Sequence, residues 1–243
     1  MSTSTVELPL RLSTADFHRR VLALDPKVAV FDCDGTLWSG DAGSTFMRWT
    51  MQTGLISRER IDWLNERYEL YRQGQVNELQ ICGEMVQVYE GLTVHTLRNA
   101  AAAFFSEYVE RNIFAEMREL IEQLQDRGTD IWCVSSTNDW VIEEGVKRFN
   151  IPANRVLAAC VAAQDGVATN KLLDVPTDEG KVASLKRVGI VSPDAVFGNS
   201  VHDAAMLAIS REAFPVNPSP ALIERSAKEA WRIYYPATVA PAQ

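Results

Sequence analysis

Two carboxylates stand two residues apart where an apolar run ends, in Val28-Ala-Val-Phe-Asp-Cys-Asp-Gly-Thr-Leu37. Buried carboxylates are costly unless a cation or hydrogen bonds satisfy them, so Asp32 and Asp34 call for a chemical reason. Thr36 adds a hydroxyl donor, and Gly35 permits a tight exit from the run. Taken alone, Asp-Gly also reads as an Asx-type turn. Three further stretches offer complementary polar groups: Ser135-Ser-Thr-Asn138, Glu179-Gly-Lys181 and Gly198-Asn-Ser-Val-His-Asp203. Asp32, Asp34, Asn199 and Asp203 offer the hard oxygens that Mg²⁺ prefers, and no Cys and His stand in zinc-like spacing. Ser135 and Thr36 supply neutral donors, and Lys181 supplies one positive charge. A dianionic phosphoryl group needs a hard cation and fixed donors around its oxygens, and this collection suits it.

For these residues to meet, the apolar runs before them must be neighbouring strands. Residues 28–32 are almost continuously apolar, as in a parallel strand buried on both faces. Ligands of open α/β sheets bind at the carboxyl ends of such strands, where Asp32 and Asp34 would stand. A helix capped by Ser13, with Asp16 at the third position of a capping box, precedes the strand and stops before Pro26. From Ser44 to about Tyr108 no convincing strand is visible; Phe46, Trp49, Ile61, Leu64, Tyr68, Tyr71, Val86, Tyr89, Leu97 and Phe105 recur at helical spacing. Such a block is several times longer than a crossover helix requires and predicts a separate helical cap.

The α/β alternation then resumes. A helix over 116–127 ends at Gly128, a strand over 130–134 follows, and 139–149 is helical. Gln164-Asp-Gly166 predicts a hairpin between strands 156–162 and 167–173. Helix 180–188, strand 195–197, helix 204–209, a strand around 213–216 and helix 221–230 complete the series. The predicted organisation is a core over 13–42 and 109–236 with a cap over 43–108.

Composition narrows the class. The chain has 243 residues, 47% of them apolar and 23% charged, enough for one α/β domain with an insertion. A net charge of -8 with no Lys/Arg cluster argues against a nucleic-acid surface. No apolar stretch approaches the roughly 18 residues of a membrane span. The four cysteines are scattered without paired spacing, which predicts a reducing, cytoplasmic setting, with Cys33 and Cys133 as core fillers. The first dozen residues carry no signal-like pattern and read as an extended, loosely attached arm.

Asp32-Cys-Asp-Gly-Thr-Leu37, Val134-Ser135, Glu179-Gly-Lys181 and Gly198-Asn-Ser-Val-His-Asp203 resemble, in order, the four motifs of the haloacid dehalogenase-like (HAD) superfamily. The insertion after the first motif is similar to the C1 cap of its phosphoserine phosphatase-like branch. The resemblance covers roughly residues 26–220 and implies an α/β fold with a Rossmann-like core, a mostly parallel sheet and an inserted helical cap. It implies Asp32 as a nucleophile that forms an aspartyl-phosphate, and Asp34 as general acid and base. It also implies Mg²⁺ held by the Asp32 carboxylate, the Asp34 carbonyl and Asn199, with Asp203 in support. Thr36, Ser135 and Lys181 would serve the phosphoryl group. Dehalogenases of the superfamily generally lack an acid where Asp34 stands, so hydrolysis at carbon is disfavoured. Asn199 departs from the usual Asp and removes one formal charge from the ion site.

The expectation is a Mg²⁺-dependent phosphomonoester hydrolase acting on a small phosphorylated metabolite. A phosphotransferase using the same intermediate and a noncatalytic binding protein that keeps the fold are the alternatives. Asp41, in the segment leading to the cap, either recognises a substrate ammonium group or orders its own loop. Trp38 and Trp140 follow motifs and either line the pocket or belong to the core. Trp49 is a second candidate for cation–π contact. Arg98 would meet a substrate carboxylate if the cap closes over the site, and His202 either faces substrate or sits on the surface.

Overall fold

The computed structural model describes residues 8–237. A short β1 (Arg11–Leu12) leads into α1 (Thr14–Leu24) and β2 (Val28–Phe31). Before the next strand come α2 (Ala42–Gln52), α3 (Arg58–Arg72), α4 (Glu78–Gln87), α5 (Val94–Phe104) and α6 (Ala115–Asp126). The remainder runs β3 (Asp130–Asn138), α7 (Asp139–Val146), β4 (Val156–Gln164), β5 (Val167–Asp174), α8 (Glu179–Arg187), β6 (Ala195–Gly198), α9 (Ala204–Ala208), β7 (Glu212–Pro215), α10 (Pro220–Glu229) and β8 (Ile233–Tyr234). The fold is α/β, with a mostly parallel central sheet, helices around it and a helical region inserted after β2.

The six-stranded sheet has the order β5-β4-β3-β2-β6-β7. Its pairs are parallel except β4 with β5. β2 lies between β3 and β6, and its side chains enter an apolar cluster on each face of the sheet, Val30 on one and Ala29 and Phe31 on the other, which is why its sequence does not alternate. Val30 and Val196 pack with Leu185, Met206, Leu207 and Leu222 under α8, α9 and α10. Phe31 and Phe197 point to the other face and stack at 4.2 Å between ring centroids.

On that second face one apolar cluster runs from the sheet into the inserted helices, through Phe46, Leu64, Ile81, Val86, Leu97 and Phe104. The insertion is also tied by its backbone to the β4–β5 hairpin. Gly91 N–H donates to the Ala168 carbonyl, Ala168 N–H to Leu92 and Val94 N–H to Gly166, each at 2.8 Å. The hairpin turn itself has positive φ at Asp165 (50°) and Gly166 (78°), as a two-residue turn of the I′ kind requires.

Residues 1–7 of the predicted N-terminal arm lie outside the described residues. Its end is anchored rather than loose: β1 pairs in parallel with β8, and Tyr234 stacks on Phe17 at 4.0 Å. Strands of two residues carry too little pattern to be read from sequence. β3 runs on to Asn138, so the polar stretch expected after it completes the strand instead. All four cysteines are free thiols. No helix among the described residues is long and apolar enough to cross a membrane.

Candidate active site

Asp32 follows β2 directly, and its N–H donates to the Phe197 carbonyl at 2.9 Å, so pairing with β6 fixes the backbone beneath the carboxylate. Both carboxylate oxygens are held. Lys181 Nζ donates to Oδ1 at 2.8 Å and Thr36 Oγ1 to Oδ2 at 3.0 Å. The same ammonium donates to Asp203 Oδ1 at 2.5 Å and to the Val134 carbonyl at 3.1 Å. Asp203 Oδ2 accepts from the N–H groups of Asn199 and Ser200, both at 2.9 Å. Gly198 makes this approach possible, because a Cβ there would lie 2.6 Å from Asp203 Cβ. One buried lysine on α8 thus ties the end of β2 to the middle of β3 and to the turn that follows β6.

Asp34 is aimed by three donors. Trp38 Nε1 and the Ala42 N–H reach Oδ1, and Thr137 Oγ1 reaches Oδ2, each at 2.7 Å. Burial and the charge of Asp41 push its carboxyl up to about 6, against the pull of those hydrogen bonds. Asp32 rises to about 7 because it is buried and faces Asp203, which Lys181 only partly offsets. Burial alone would lower the Lys181 ammonium, but Asp203 and Asp32 outweigh it and hold it protonated. Two carboxylates, Asp32 and Asp203, therefore share one ammonium in a low-dielectric setting.

These groups open into a cavity of about 500 Å³. Asp32, Asp34, Ser135, Lys181, Asn199 and Asp203 contribute to its sheet side, while Tyr68, Tyr71, Glu78, Cys82 and Met85 line it from α3 and α4. Ser135 is buried, and its Oγ accepts from the Thr137 N–H at 3.1 Å, which leaves the hydroxyl proton for another acceptor. Asn199 lies over Gly35, where a Cβ would come within 2.6 Å of the amide carbon; Gly35 also has φ 74°. Gly35→Ala is expected to cost about 1–3 kcal/mol from backbone strain, and more as Asn199 is displaced. Urea unfolding checks this, and an unchanged midpoint would contradict it.

The other residues singled out from sequence divide. Asp41 and His202 line the cavity. Asp41 caps α2, accepting from Ser44 N–H at 2.8 Å and Ser44 Oγ at 2.7 Å, so loop order is among its tasks. His202 Nδ1 lies 2.8 Å from Asp178 Oδ1. Thr36 is fully buried and gives its hydroxyl to Asp32 rather than facing the cavity. Trp38 is also fully buried and holds Asp34, and Trp140 packs edge-on against Tyr89 at 5.7 Å. Trp49 packs on Phe46 and Phe104. None of the three tryptophans lines the cavity, since each has an aromatic or hydrogen-bonding partner in the interior. Arg98 is likewise outside it, paired with Glu143 on α7 at 2.5 Å.

Thr137, Glu78, Tyr68, Tyr71 and Cys82 also line the cavity without a motif in the sequence that marks them for it. Thr137 lies inside the polar stretch 135–138, and Tyr68 and Tyr71 fall at the apolar positions of a helical repeat. Glu78 had no sequence signal at all, because its approach depends on how α4 leans over the sheet.

The profile of haloacid dehalogenase-like hydrolases matches residues 29–208. The chain is 23% identical over 218 residues to a histidinol-phosphatase of Neisseria meningitidis serogroup C (strain 8013), covering 85% of this chain and 97% of the relative. A phosphoserine phosphatase of Mycobacterium tuberculosis (strain ATCC 25618 / H37Rv) is 22% identical over 247 residues, covering 96% and 78% respectively. Among solved structures, a protein of unknown function from Bordetella pertussis Tohama I shares the fold with a TM-score of 0.74, at 21% identity, over 85% of this chain and 97% of that one. With a profile match that begins inside β2 and ends with α9, the chain belongs to the haloacid dehalogenase-like hydrolase family.

Proposed function

We propose that the protein is a Mg²⁺-dependent phosphomonoester hydrolase of the phosphoserine phosphatase-like branch, acting on a small phosphorylated metabolite. Residues 43–108 would form the cap, and 13–42 with 109–236 the core. The observation that carries this reading is the pair of buried carboxylates in one cavity, Asp32 clamped by Lys181 and Asp34 aimed by three donors.

In this reading the Asp32 carboxylate attacks phosphorus and the bond to the ester oxygen breaks. Asp34 gives its proton to that leaving oxygen. As a carboxylate it then takes a proton from the water that attacks phosphorus, the bond to Asp32 breaks, and inorganic phosphate leaves. A carboxyl pushed up to about 6 suits a group that must be acid in one step and base in the next. Trp38, Ala42 and Thr137 keep it pointed at the same place in both. Thr36 orients the nucleophile, Lys181 offsets negative charge, and Ser135 has a proton to offer a phosphoryl oxygen.

The donor chemistry fits a hard divalent cation. The surplus of carboxylate over ammonium raises the Asp32 carboxyl, and a divalent cation beside it would favour the ionised form that the nucleophile needs. The Asp32 carboxylate, the Asp34 carbonyl and the Asn199 amide oxygen would hold Mg²⁺, which supplies Lewis-acid stabilisation of phosphoryl charge. Asp203 would support the site through the Asn199 backbone, because both its oxygens already accept from protein donors. Among the described residues no three His, Cys, Asp or Glu side chains form a cage of their own.

Two measurements test the reading. Acid quench of turnover with a ³²P-labelled ester should trap label on Asp32; a protein that turns over without ever carrying label would end the proposed mechanism. Exhaustive chelation should lower activity by ~100-fold or more, in keeping with several kcal/mol of charge stabilisation. Mg²⁺ should restore it and Zn²⁺ should do so poorly, and turnover that survives chelation would remove the ion from the site.

A further inference from the structure

The two ends of the cavity differ in chemistry. At the sheet end stand the reacting carboxylates with Lys181. At the other end α3 and α4 present Tyr68, Tyr71 and Glu78, while Asp41, at the start of α2, stands near enough to both Asp34 and Cys82 for its charge to raise each of them. Glu78 is not needed to start its helix: Asn77 caps α4 and forms a reciprocal box with Gln80. Its carboxylate is instead held over the cavity. Tyr71 OH donates to Oε2 at 2.5 Å and Cys82 Sγ to Oε1 at 3.4 Å. Burial raises the Cys82 thiol, and the charges of both Glu78 and Asp41 raise it further; all three residues line the cavity.

Cations at this end are few. Lys181 is the sole lysine or arginine among the described lining residues, and it is shared between Asp32 and Asp203. His202 has Nδ1 on Asp178 and Nε2 3.8 Å from Glu78 Oε2, so it too is set among carboxylates. Arg98, the arginine that would have met a substrate carboxylate, is paired with Glu143 outside the cavity. A carboxylate on the leaving alcohol would therefore meet like charge, and an organic cation would meet two carboxylates beside two tyrosine rings.

We propose that Glu78, with Asp41, Tyr68 and Tyr71, selects a phosphomonoester whose alcohol carries an organic cation and no carboxylate. This rests on the phosphomonoesterase reading above. Glu78 receives the cation, Tyr71 fixes the Glu78 carboxylate, and the acidic wall rejects amino-acid phosphates. Phosphate then lies at Asp32, with the alcohol reaching between the helices.

The test compares kcat/KM for phosphoethanolamine, phosphocholine, histidinol phosphate, phosphoserine, glycerol 3-phosphate and para-nitrophenyl phosphate in the unmodified, Mg²⁺-supplied protein and in Glu78→Gln. At least one cationic ester should exceed both phosphoserine and glycerol 3-phosphate by ~10-fold or more, and Glu78→Gln should cost it ~10-fold more than it costs glycerol 3-phosphate. Tyr71→Phe should shift the same ratio in the same direction by a smaller factor, and it serves if Glu78→Gln does not fold. Preference for phosphoserine, or an equal loss for all esters, would overturn the proposal while hydrolysis of para-nitrophenyl phosphate that depends on Asp32 leaves the phosphatase reading standing. If no ester is hydrolysed, that reading fails separately, and calorimetry decides the selectivity. Tighter binding of phosphoethanolamine than of glycerol 3-phosphate, lost in Glu78→Gln, supports it; equal binding overturns it.

Discussion

Asp32→Asn is expected to lower turnover by ~10⁴-fold or more, the scale at which enzymes lose a nucleophile, while leaving the protein folded and no less stable. The two expectations come from one piece of geometry. Lys181 stands between Asp32 and Asp203, so the buried cluster holds one ammonium against two carboxylates. An amide at position 32 keeps an oxygen for Lys181 or Thr36 and brings the cluster to one charge of each sign. Burial and Asp203 already push the Asp32 carboxyl up to about 7, which marks its ionised form as the costly one. Steady-state hydrolysis and thermal unfolding of the same preparation check both halves. Activity within tenfold of the unmodified protein would remove Asp32 from the chemistry. A collapse of stability would show that it is a structural acid.

Removing the cation should do the opposite to stability. Lys181→Met leaves Asp32 and Asp203 buried beside each other without their shared partner, and breaking a buried pair in this way costs about 3–5 kcal/mol. For a chain of this size that corresponds to a fall in melting temperature of roughly 6–20 °C. Activity should also drop by ~100-fold or more, since a fixed charge beside the phosphoryl group is lost. The combination Lys181→Met with Asp203→Asn should recover part of the stability, because the asparagine oxygen can still accept from the Asn199 and Ser200 N–H groups. It should recover none of the activity. An unchanged melting temperature in Lys181→Met would mean that the two acids are neutral in the folded protein, and the charge arrangement described for the site would have to be abandoned.

Among individual residues, the sequence served best where a local pattern and a global position coincide. The run from Val28 to Phe31 has no alternation because β2 is covered by an apolar cluster on each face, and its pairing with β3 and β6 makes it central as well. The hairpin at Asp165 and Gly166 was legible because positive φ at two successive residues restricts composition. The predicted cap helices are present, yet the apolar cluster passes through them without interruption, which helical periodicity does not report. Periodicity says that a helix has an apolar face, not which surface that face meets. For the same reason Trp38, Trp49 and Trp140 remained open between pocket and interior until their partners were seen.

Residue type and order along the chain by themselves determined the α/β class, the place of Asp32 and Asp34 at a strand end, and the recurrence of complementary polar groups after later strands. Those features follow from short-range rules of burial and strand position. Which charges touch was decided only by tertiary structure. Lys181 reaches Asp32 across 149 residues of chain, and Thr137 reaches Asp34 across 103, because parallel pairing sets the carboxyl ends of β2, β3 and β6 side by side. The acidic end of the cavity belongs to the same category. Glu78 is an ordinary first-turn helix acid in sequence, and it faces the cavity because α4 packs against β4 and β5 and is held there by the hairpin. Electrostatic energy depends on distance in space, and only the packed chain fixes that distance.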